Sequence, residues 1–416
     1  PYVICNERDR QALENIKNDN KKLPKALLDI ETLKASQASG NLCQPKANDT
    51  AFFQLSSGST GTPKCIEISH KGVLTHCEAT KQLNGYSSDD KWLNWLPLDH
   101  VGATLMLHLQ SVYLCCDFTH LSTERVLSNP LEWLNYISDL QINHSWSPNF
   151  GFQLVVDALE HASPELSLDL SCIKSLINAG EQVQRSTVKS FVDKLSGYGL
   201  PDKTIVPAFG MAETCTAVTY DSNYDLSNND TLFSPEKPTG VLRVVEENAP
   251  DSLKFSSVGA LHRGIEIRIV NDNEEVVSEQ CIGKLQVRGE VTTAGYYKNP
   301  EANLTAYGDD GWFNTGDLAF IYASNLYISG REKEMILVRG ANIYCYEIEA
   351  LIGSIDSVDS TSVGVFPIIN GGTGTEGFGV AYVGDKSAAT KKEMKRVLSR
   401  SLGLSPDIII PLEMEA

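Results

Sequence analysis

From Ala51 onward the chain alternates two kinds of segment, and this alternation constrains its fold more than any other feature of the sequence. Strand-like runs at Trp92 to Pro97, Ile142 to Trp146, Ser175 to Asn178 and Ile205 to Phe209 are separated by helix-like runs at Gly72 to Leu83, Pro130 to Leu140, Gly151 to Ala158 and Arg185 to Leu195. The spacing predicts an α/β fold: a large N-terminal region of mostly parallel, helix-covered sheet, with ligands at the strand C-terminal ends. Ile265 to Val270, Lys284 to Arg288 and Leu318 to Ile328 return as short strands in hairpin style, which predicts a small β subdomain. Between them, Tyr220 to Ser256 is rich in Asp, Asn, Ser, Glu and Pro and reads as a long surface loop. After Gly330-Arg331 the pattern changes to a small α+β module: Glu334 to Arg339, a helical Tyr346 to Ile352, a strand near Val363 to Phe366, and Phe378 to Val383 after a glycine-rich hairpin tip at Asn370 to Gly379. Residues 11 to 50 read as a short helix and a linker. The expected divisions are 1–50 as linker or partial subdomain, 51–329 as core, and 334–416 as a small C-terminal domain joined to the core through 330–333.

The chemistry-bearing segment is Phe53-Gln54-Leu55-Ser56-Ser57-Gly58-Ser59-Thr60-Gly61-Thr62-Pro63-Lys64. It lies between the apolar run Ala51 to Leu55 and the alternating run Cys65 to Ser69, so the loop offers backbone N–H groups, hydroxyls and one cation to an anion. A triphosphate needs those groups. The kinase-type phosphate loop places Gly-Lys-Ser/Thr at a helix start, whereas here Pro63 stands at the fifth position after Gly58 and a strand follows. This is a different nucleotide loop.

These twelve residues resemble the phosphate-binding signature of the AMP-forming acyl and aminoacyl adenylate ligases, the superfamily of acyl-CoA synthetases, luciferases and nonribosomal peptide adenylation domains. Further segments follow in the family's order: Asn178-Ala179-Gly180-Glu181, Ala208-Phe209-Gly210-Met211-Ala212-Glu213-Thr214, Gly311 to Asp317 and Gly330-Arg331-Glu332-Lys333-Glu334. The resemblance implies ATP and Mg²⁺ as cofactors. Ser57, Gly58, Ser59, Thr60, Gly61, Thr62 and Lys64 would hold the β- and γ-phosphates, and Glu213 would carry the metal. Ala179, Gly180, Glu181, Phe209, Gly210, Met211 and Ala212 would line the adenine and α-phosphate, Asp317 would accept the ribose hydroxyls, and Arg331 would reach the ribose and phosphate side. Lys333 would be the pivot about which the small domain turns, and with Lys64 and Glu213 it makes up the expected catalytic set. Cys215, beside the metal glutamate, has no role in the family and no activating base implied by the sequence.

Within that superfamily the Gly-Met-Ala-Glu form, with Ala212 where Thr is usual, is similar to fatty acyl-AMP ligases and to loading domains of polyketide or mixed polyketide/peptide synthases. Leu96-Pro97-Leu98-Asp99-His100 and Trp146-Ser147-Pro148-Asn149-Phe150 point the same way. The stretch from Tyr297 to Trp312 is too short for the insertion of strict fatty acyl-AMP ligases. His100, Val101, Gly102, Asn149, Phe150, Ala179 and Gly210 are the expected acyl pocket. Asp99 is out of register for pairing a substrate ammonium, so the expected substrate is a carboxylic acid without one. The expected function is adenylation of that acid, then thioester transfer to the phosphopantetheine of an acyl or peptidyl carrier protein. The alternatives are an amino acid adenylation domain of a nonribosomal peptide synthetase, a stand-alone acyl-CoA ligase, and a nucleotide-binding scaffold without catalysis.

Bulk properties are compatible with that reading. Lys+Arg 35 against Asp+Glu 53 gives a net charge of −18 without a basic stripe, which argues against nucleic acid or an anionic membrane as partner. The absence of a span-length apolar run or leader-like start gives a cytoplasmic expectation. The ten cysteines have no CxxC spacing, so neither zinc nor a disulfide framework is suggested. Relatives place a Gly-Lys lysine near their C-terminus, and no match to it follows Ile408 to Pro411. The chain is therefore expected to be a piece of a longer multidomain synthase.

Overall fold

The computed structural model describes residues 2–6, 10, 13–14, 26–36, 40, 44–56, 64–163, 165–226, 232–235, 241–245, 253–332, 335–338, 341–369, 376–402 and 404–413. The chain forms two units, Pro1–Lys46 and Ala47–Ala416. In the first, β1 (Tyr2–Cys5) and β2 (Ala26–Asp29) pair in parallel, and α1 (Ile30–Ala35) follows directly. Asp29 caps that helix, its carboxylate accepting the Thr32 N–H at 2.9 Å. The strand at Ala26–Asp29 departs from the linker expected over residues 11 to 50.

The second unit opens with the antiparallel hairpin β3 (Thr50–Ser56) and β4 (Lys64–Ser69), then α2 (His70–Asn84). Ser69 caps α2 by accepting the Gly72 N–H at 3.0 Å, and Gly85 at φ 68° ends it in the left-handed region. There follow β5 (Lys91–Asn94), a π-helix over Gly102–Leu109, α3 (Gln110–Leu114), β6 (Asp117–His120), α4 (Thr123–Ser128), α5 (Leu131–Leu140), β7 (His144–Ser147), α6 (Asn149–Glu160), β8 (Ser175–Asn178), α7 (Arg185–Leu195), β9 (Ile205–Gly210) and β10 (Ala217–Tyr220). Strands β6, β5, β7, β8 and β9 lie side by side, all parallel. The helices cover them because each carries an apolar stripe; on α7, Thr187, Val188, Phe191 and Leu195 are buried on one side. Trp92, Trp95, Trp133, Trp146, Phe152 and Phe191 fill this core.

The remaining strands turn the sheet antiparallel. β11 (Leu232–Pro235), β12 (Leu242–Val245) and β13 (Leu253–Lys254) form a separate three-stranded sheet, then come β14 (Ser257–Leu261), β15 (Ile265–Val270), β16 (Gly283–Gly289), α8 (Pro300–Ala306), β17 (Phe313–Tyr322) and β18 (Asn325–Arg331). The order β15-β16-β17-β18-β14-β10-β9-β8-β7-β5-β6 makes one eleven-stranded mixed sheet. The expected β subdomain thus packs an apolar cluster around Leu285, Val287, Phe313 and Ala319 that also takes in Ile66, Val101, Leu105 and Val218, and it is hydrogen-bonded into the parallel half through β14 and β10. The run Leu318 to Ile328 is two strands, turned at Ala323 and Ser324, which sit at φ 50° and 65°. Tyr220 to Ser256 is not wholly loop: Phe233, Leu242 and Phe255 are buried against Phe320 and Tyr327.

The C-terminal part comprises β19 (Met335–Val338), β20 (Ala341–Tyr344), α9 (Cys345–Gly353), β21 (Val358–Ile369), β22 (Glu376–Gly384), α10 (Ala388–Leu402) and β23 (Ile408–Leu412), around a core of Ile348, Ile352, Phe378, Val380, Tyr382, Met394 and Leu398. The hairpin tip expected at Asn370 to Gly379 lies partly outside the described residues, and β21 and β22 pair antiparallel up to Ile369↔Glu376 on either side of it.

Candidate active site

Ser56 and Lys64 are the last register pair of the antiparallel strands β3 and β4. Ser57, Gly58, Ser59, Thr60, Gly61 and Thr62 themselves lie outside the described residues, as does Lys333. Three groups of the expected residues are described, each built on an identifiable framework.

The first joins Lys64 to Glu213. Glu213 sits in a single 3₁₀ turn, Ala212–Thr214, that follows β9, and is only 6% exposed. The Thr214 hydroxyl holds that turn, accepting the Met211 N–H at 3.2 Å. Tyr296 donates its hydroxyl to Glu213 Oε1 at 2.9 Å, and the Lys64 ammonium lies 4.6 Å from the centre of the same ring. Burial first, and then the Glu213 charge and hydrogen bond, push the Tyr296 phenol well above its ordinary range. It is a donor, not a phenolate. Segment 293–297 also binds both the Glu213 turn and the hairpin: the Thr293 N–H donates to the Glu213 carbonyl at 2.7 Å, its hydroxyl to the Glu67 carbonyl at 2.7 Å, and the Tyr297 N–H to the Cys65 carbonyl at 2.7 Å.

Gly210 closes β9 where no side chain fits: a Cβ there would lie 2.0 Å from the Thr216 carbonyl oxygen and 2.3 Å from Ala217 Cα. Past Glu213 the backbone makes a strained γ-turn at Cys215, φ 65° and ψ −54°, closed by Thr216 N–H to Thr214 C=O at 2.8 Å. The Cys215 thiol is buried and burial pushes it up to about 12, so it is no nucleophile at neutral pH.

The second group forms a wall beyond the ends of β5, β7 and β8. His100 stacks on Trp146 at 5.4 Å between ring centres, and its Nδ1 accepts the Gly102 N–H at 3.1 Å, which leaves the proton of the neutral ring on Nε2. Desolvation lowers the His100 pKa, with Asp99 opposing. The Trp146 indole is fixed by donating to Asn94 Oδ1 at 3.0 Å. Gly102 and Gly180 both face this indole, the latter at φ 93°. Val101 is buried beside them, and Ala179 is buried just after β8. Asn149, at the start of α6, accepts from Asn178 Nδ2 at 3.2 Å and from the Gln184 N–H at 3.0 Å. Glu181 accepts the Phe150 N–H, and desolvation raises its carboxyl despite that bond. β8 and β9 are neighbours in register (Asn178↔Pro207), so the Ala179-Gly180-Glu181 and Phe209-Gly210-Met211-Ala212 segments leave adjacent strand ends. Phe209 is partly buried against the β-side core. Gln54 of β3 ties the β3–β4 hairpin to this wall, donating to the Asp99 carbonyl at 2.5 Å.

The third group is Asp317 and Arg331, cross-strand partners on β17 and β18 with Arg331 Nε 3.2 Å from Asp317 Oδ1. Tyr296, Thr293 and Gln54 were not expected. Gln54 stands inside the quoted loop segment, but neither tyrosine nor threonine carries a local signal for contact with Glu213.

The family model for AMP-binding enzyme matches residues 3–297. Among curated proteins the chain is 30% identical over 402 residues to atromentin synthetase invA2 of Paxillus involutus and 30% identical over 403 residues to microperfuranone synthase of Emericella nidulans. These alignments take in 92% and 93% of this chain and 40% and 41% of those proteins. A protein named as an inactive atromentin synthetase, invA3 of Paxillus involutus, is also 30% identical, over 92% of the chain. The chain thus spans about two fifths of the length of the curated relatives it matches. Among solved structures, a multidomain structure of a keto acid-selecting NRPS module with adenylation and ketoreductase domains is 31% identical, with a TM-score of 0.92, over all of this chain and 35% of that one. McyG A-PCP complexed with phenylalanyl-adenylate is 31% identical, with a TM-score of 0.86, over all of this chain and 62% of that one. With a family model covering more than half its length and a relative 30% identical over 92% of it, the chain belongs to the AMP-binding enzyme family, the adenylate-forming ligases.

Proposed function

We propose that this chain adenylates a carboxylic acid lacking an α-ammonium group, a 2-oxo acid being the class best supported, and passes the acyl group to the phosphopantetheine thiol of a carrier protein in a cytoplasmic assembly line. The observation that carries the adenylation chemistry is the convergence of Lys64 and Glu213 on Tyr296. It brings the one cation of the phosphate-loop segment and a buried carboxylate to a common support, as a reaction that separates pyrophosphate from an α-phosphate requires. Glu213 suits Mg²⁺, which takes one or two carboxylates and completes its shell with phosphate oxygens and water; no cluster of three metal-ligating side chains occurs among the described residues, and none is needed. When bound, that ion neutralises charge on the phosphates. Lys64 would hold the leaving pyrophosphate, Asp317 and Arg331 the ribose, and the strand-end segments Ala179 to Glu181 and Phe209 to Ala212 the base. Among the described residues no helix is long and apolar enough to cross a membrane.

The choice of acid is supported by the neutral His100–Trp146 wall and by the keto acid-selecting modules that this chain resembles. Amino acid adenylation is the second reading, favoured by the relative whose structure holds phenylalanyl-adenylate. Thioester formation calls for the 334–416 part to turn about residues 330–333 after the adenylate forms.

Exchange of labelled pyrophosphate into ATP, driven by a panel of 2-oxo, 2-hydroxy, fatty and amino acids, tests the proposal. A 2-oxo acid should support the fastest exchange. A preference for one amino acid promotes the second reading, and no exchange with any acid returns the chain to the company of its inactive relative.

A further inference from the structure

We propose that Tyr296 is a positioning residue that couples the metal-binding carboxylate to the phosphate-binding lysine. The inference rests on the roles given above to Lys64 and Glu213. Tyr296 is 5% exposed and Glu213 6%, so the hydrogen bond between them, at 2.9 Å, is shielded from water. One carboxylate oxygen is thereby pinned. Among the described residues Oε2 of Glu213 has no hydrogen-bond donor, which makes it the oxygen that can turn to a cation. A donor behind a metal-ligating carboxylate fixes its orientation, and losing such a partner typically weakens metal affinity about 10–100-fold.

The other face of the argument is Lys64. Its ammonium sits 4.6 Å from the centre of the same ring, so the phenol and its π face address the two charged groups at once. The ring cannot drift from this position. Ile66 and Tyr296 form a β-bridge, and the Tyr296 N–H donates to Asn303 Oδ1 at 2.7 Å. The neighbouring Glu67 N–H donates to the Gly295 carbonyl at 3.2 Å, and Thr293 bonds the carbonyls of both Glu67 and Gly295. The hairpin that carries the phosphate loop and the turn that carries Glu213 are therefore registered against each other through one five-residue segment, with Tyr296 as its only side chain touching both charges among the described contacts. Tyr307 stands behind as a second phenol, held by the Thr293 carbonyl.

The test compares Tyr296→Phe, which removes only the hydroxyl, with Tyr296→Leu, which removes the ring as well, using Glu213→Gln as reference. Calorimetry measures binding of ATP at increasing Mg²⁺, binding of metal-free ATP, and binding of AMP; melting in the absence of ligand reports on the fold. Tyr296→Phe should raise the Mg²⁺ concentration needed to strengthen ATP binding about 10-fold, with AMP affinity and metal-free ATP affinity unchanged. Tyr296→Leu should in addition weaken metal-free ATP several-fold, because Lys64 loses its seat, and still leave AMP alone. If Tyr296→Phe leaves the Mg²⁺ requirement as it is while Glu213→Gln shifts it, the coupling role of Tyr296 is wrong and the assignment of Glu213 stands. If Glu213→Gln also fails to shift it, the metal role of Glu213 is the error. Equal losses for AMP and ATP in Tyr296→Phe, with a lowered melting temperature, overturn the proposal in favour of plain structural support.

Discussion

Asp317 is almost enclosed while its partner Arg331 is mostly in solvent, with 5% and 57% side-chain exposure. Solvent around the arginine screens the ion pair, and a ligand arriving from that open side meets the Asp317 carboxylate by displacing or joining the arginine. Asp317→Ala should weaken AMP and ATP alike, by about 1.5–3 kcal/mol for each charge-assisted bond lost, with ligand-free melting nearly unchanged. Unaltered AMP affinity by calorimetry would remove Asp317 from the ribose role. The Thr-Gly-Asp turn itself was legible in the sequence because it is local: the Asp317 N–H is satisfied by the Thr315 hydroxyl two residues back, at 3.0 Å. Tyr296 was not, because it meets Glu213 across 83 residues and only the completed sheet brings them together. Glu213, Lys64 and His100 could be named from motifs. Their partners could not.

At the scale of elements the same division holds. Helix α7 occupies the run Arg185 to Leu195 as expected, since its apolar stripe repeats at helical spacing and needs no tertiary help to be read. The three strands within Tyr220 to Ser256 escaped because single buried aromatics, Phe233 and Phe255, stand among polar residues and are stabilised from outside by Phe320 and Tyr327. Nor does any periodicity announce the π-helix at Gly102–Leu109, a rare geometry that recurs near functional sites. Its first residue explains part of it: a Cβ at Gly102 would fall 2.7 Å from Trp146 Cη2 and 3.2 Å from His100 Nδ1. With Trp146 2% exposed and bonded to Asn94, the indole has nowhere to go. Gly102→Ala should cost about 1–3 kcal/mol of stability as overpacking. It should impair acid-dependent pyrophosphate exchange more than AMP binding, and equal effects on both would separate this wall from the acyl pocket.

For the whole molecule, three buried imidazoles set the response to acid. His76, His144 and His262 are held neutral mainly by burial, which lowers each pKa; Asp90 opposes at His144 and the Arg263 carbonyl at His262, while His262 adds to the lowering at His76. The unfolded chain takes up these protons near pH 6.5 and the fold does not, so stability is full above that value and declines as pH drops below it, by about 1.4 kcal/mol per pH unit for each proton. Asp90 behaves differently: burial alone would raise it, but His144, Lys174 and the Ser87 N–H hold it below its ordinary value of 3.8, so its contribution persists above that pH and is lost only in stronger acid. The melting temperature should fall steeply from pH 6.5 to 5, and His76→Phe should flatten the curve; a flat profile in the parent protein would contradict the burial assigned to these rings. The eleven-stranded sheet carries one more implication, for synthesis on the ribosome. Strand β14 is wedged between β10 and β18, so a nascent chain that has already emerged through Tyr220 must keep the open edge of β10 waiting for Ser257–Leu261, and that strand must wait in turn until Arg331 clears the exit tunnel. The tryptophan-rich parallel half can collapse early, whereas strands β14 to β18 arrive last onto an edge that other nascent chains could also claim, which makes the codons for residues 220 to 331 the stretch where translation speed and chaperone access should matter most for yield.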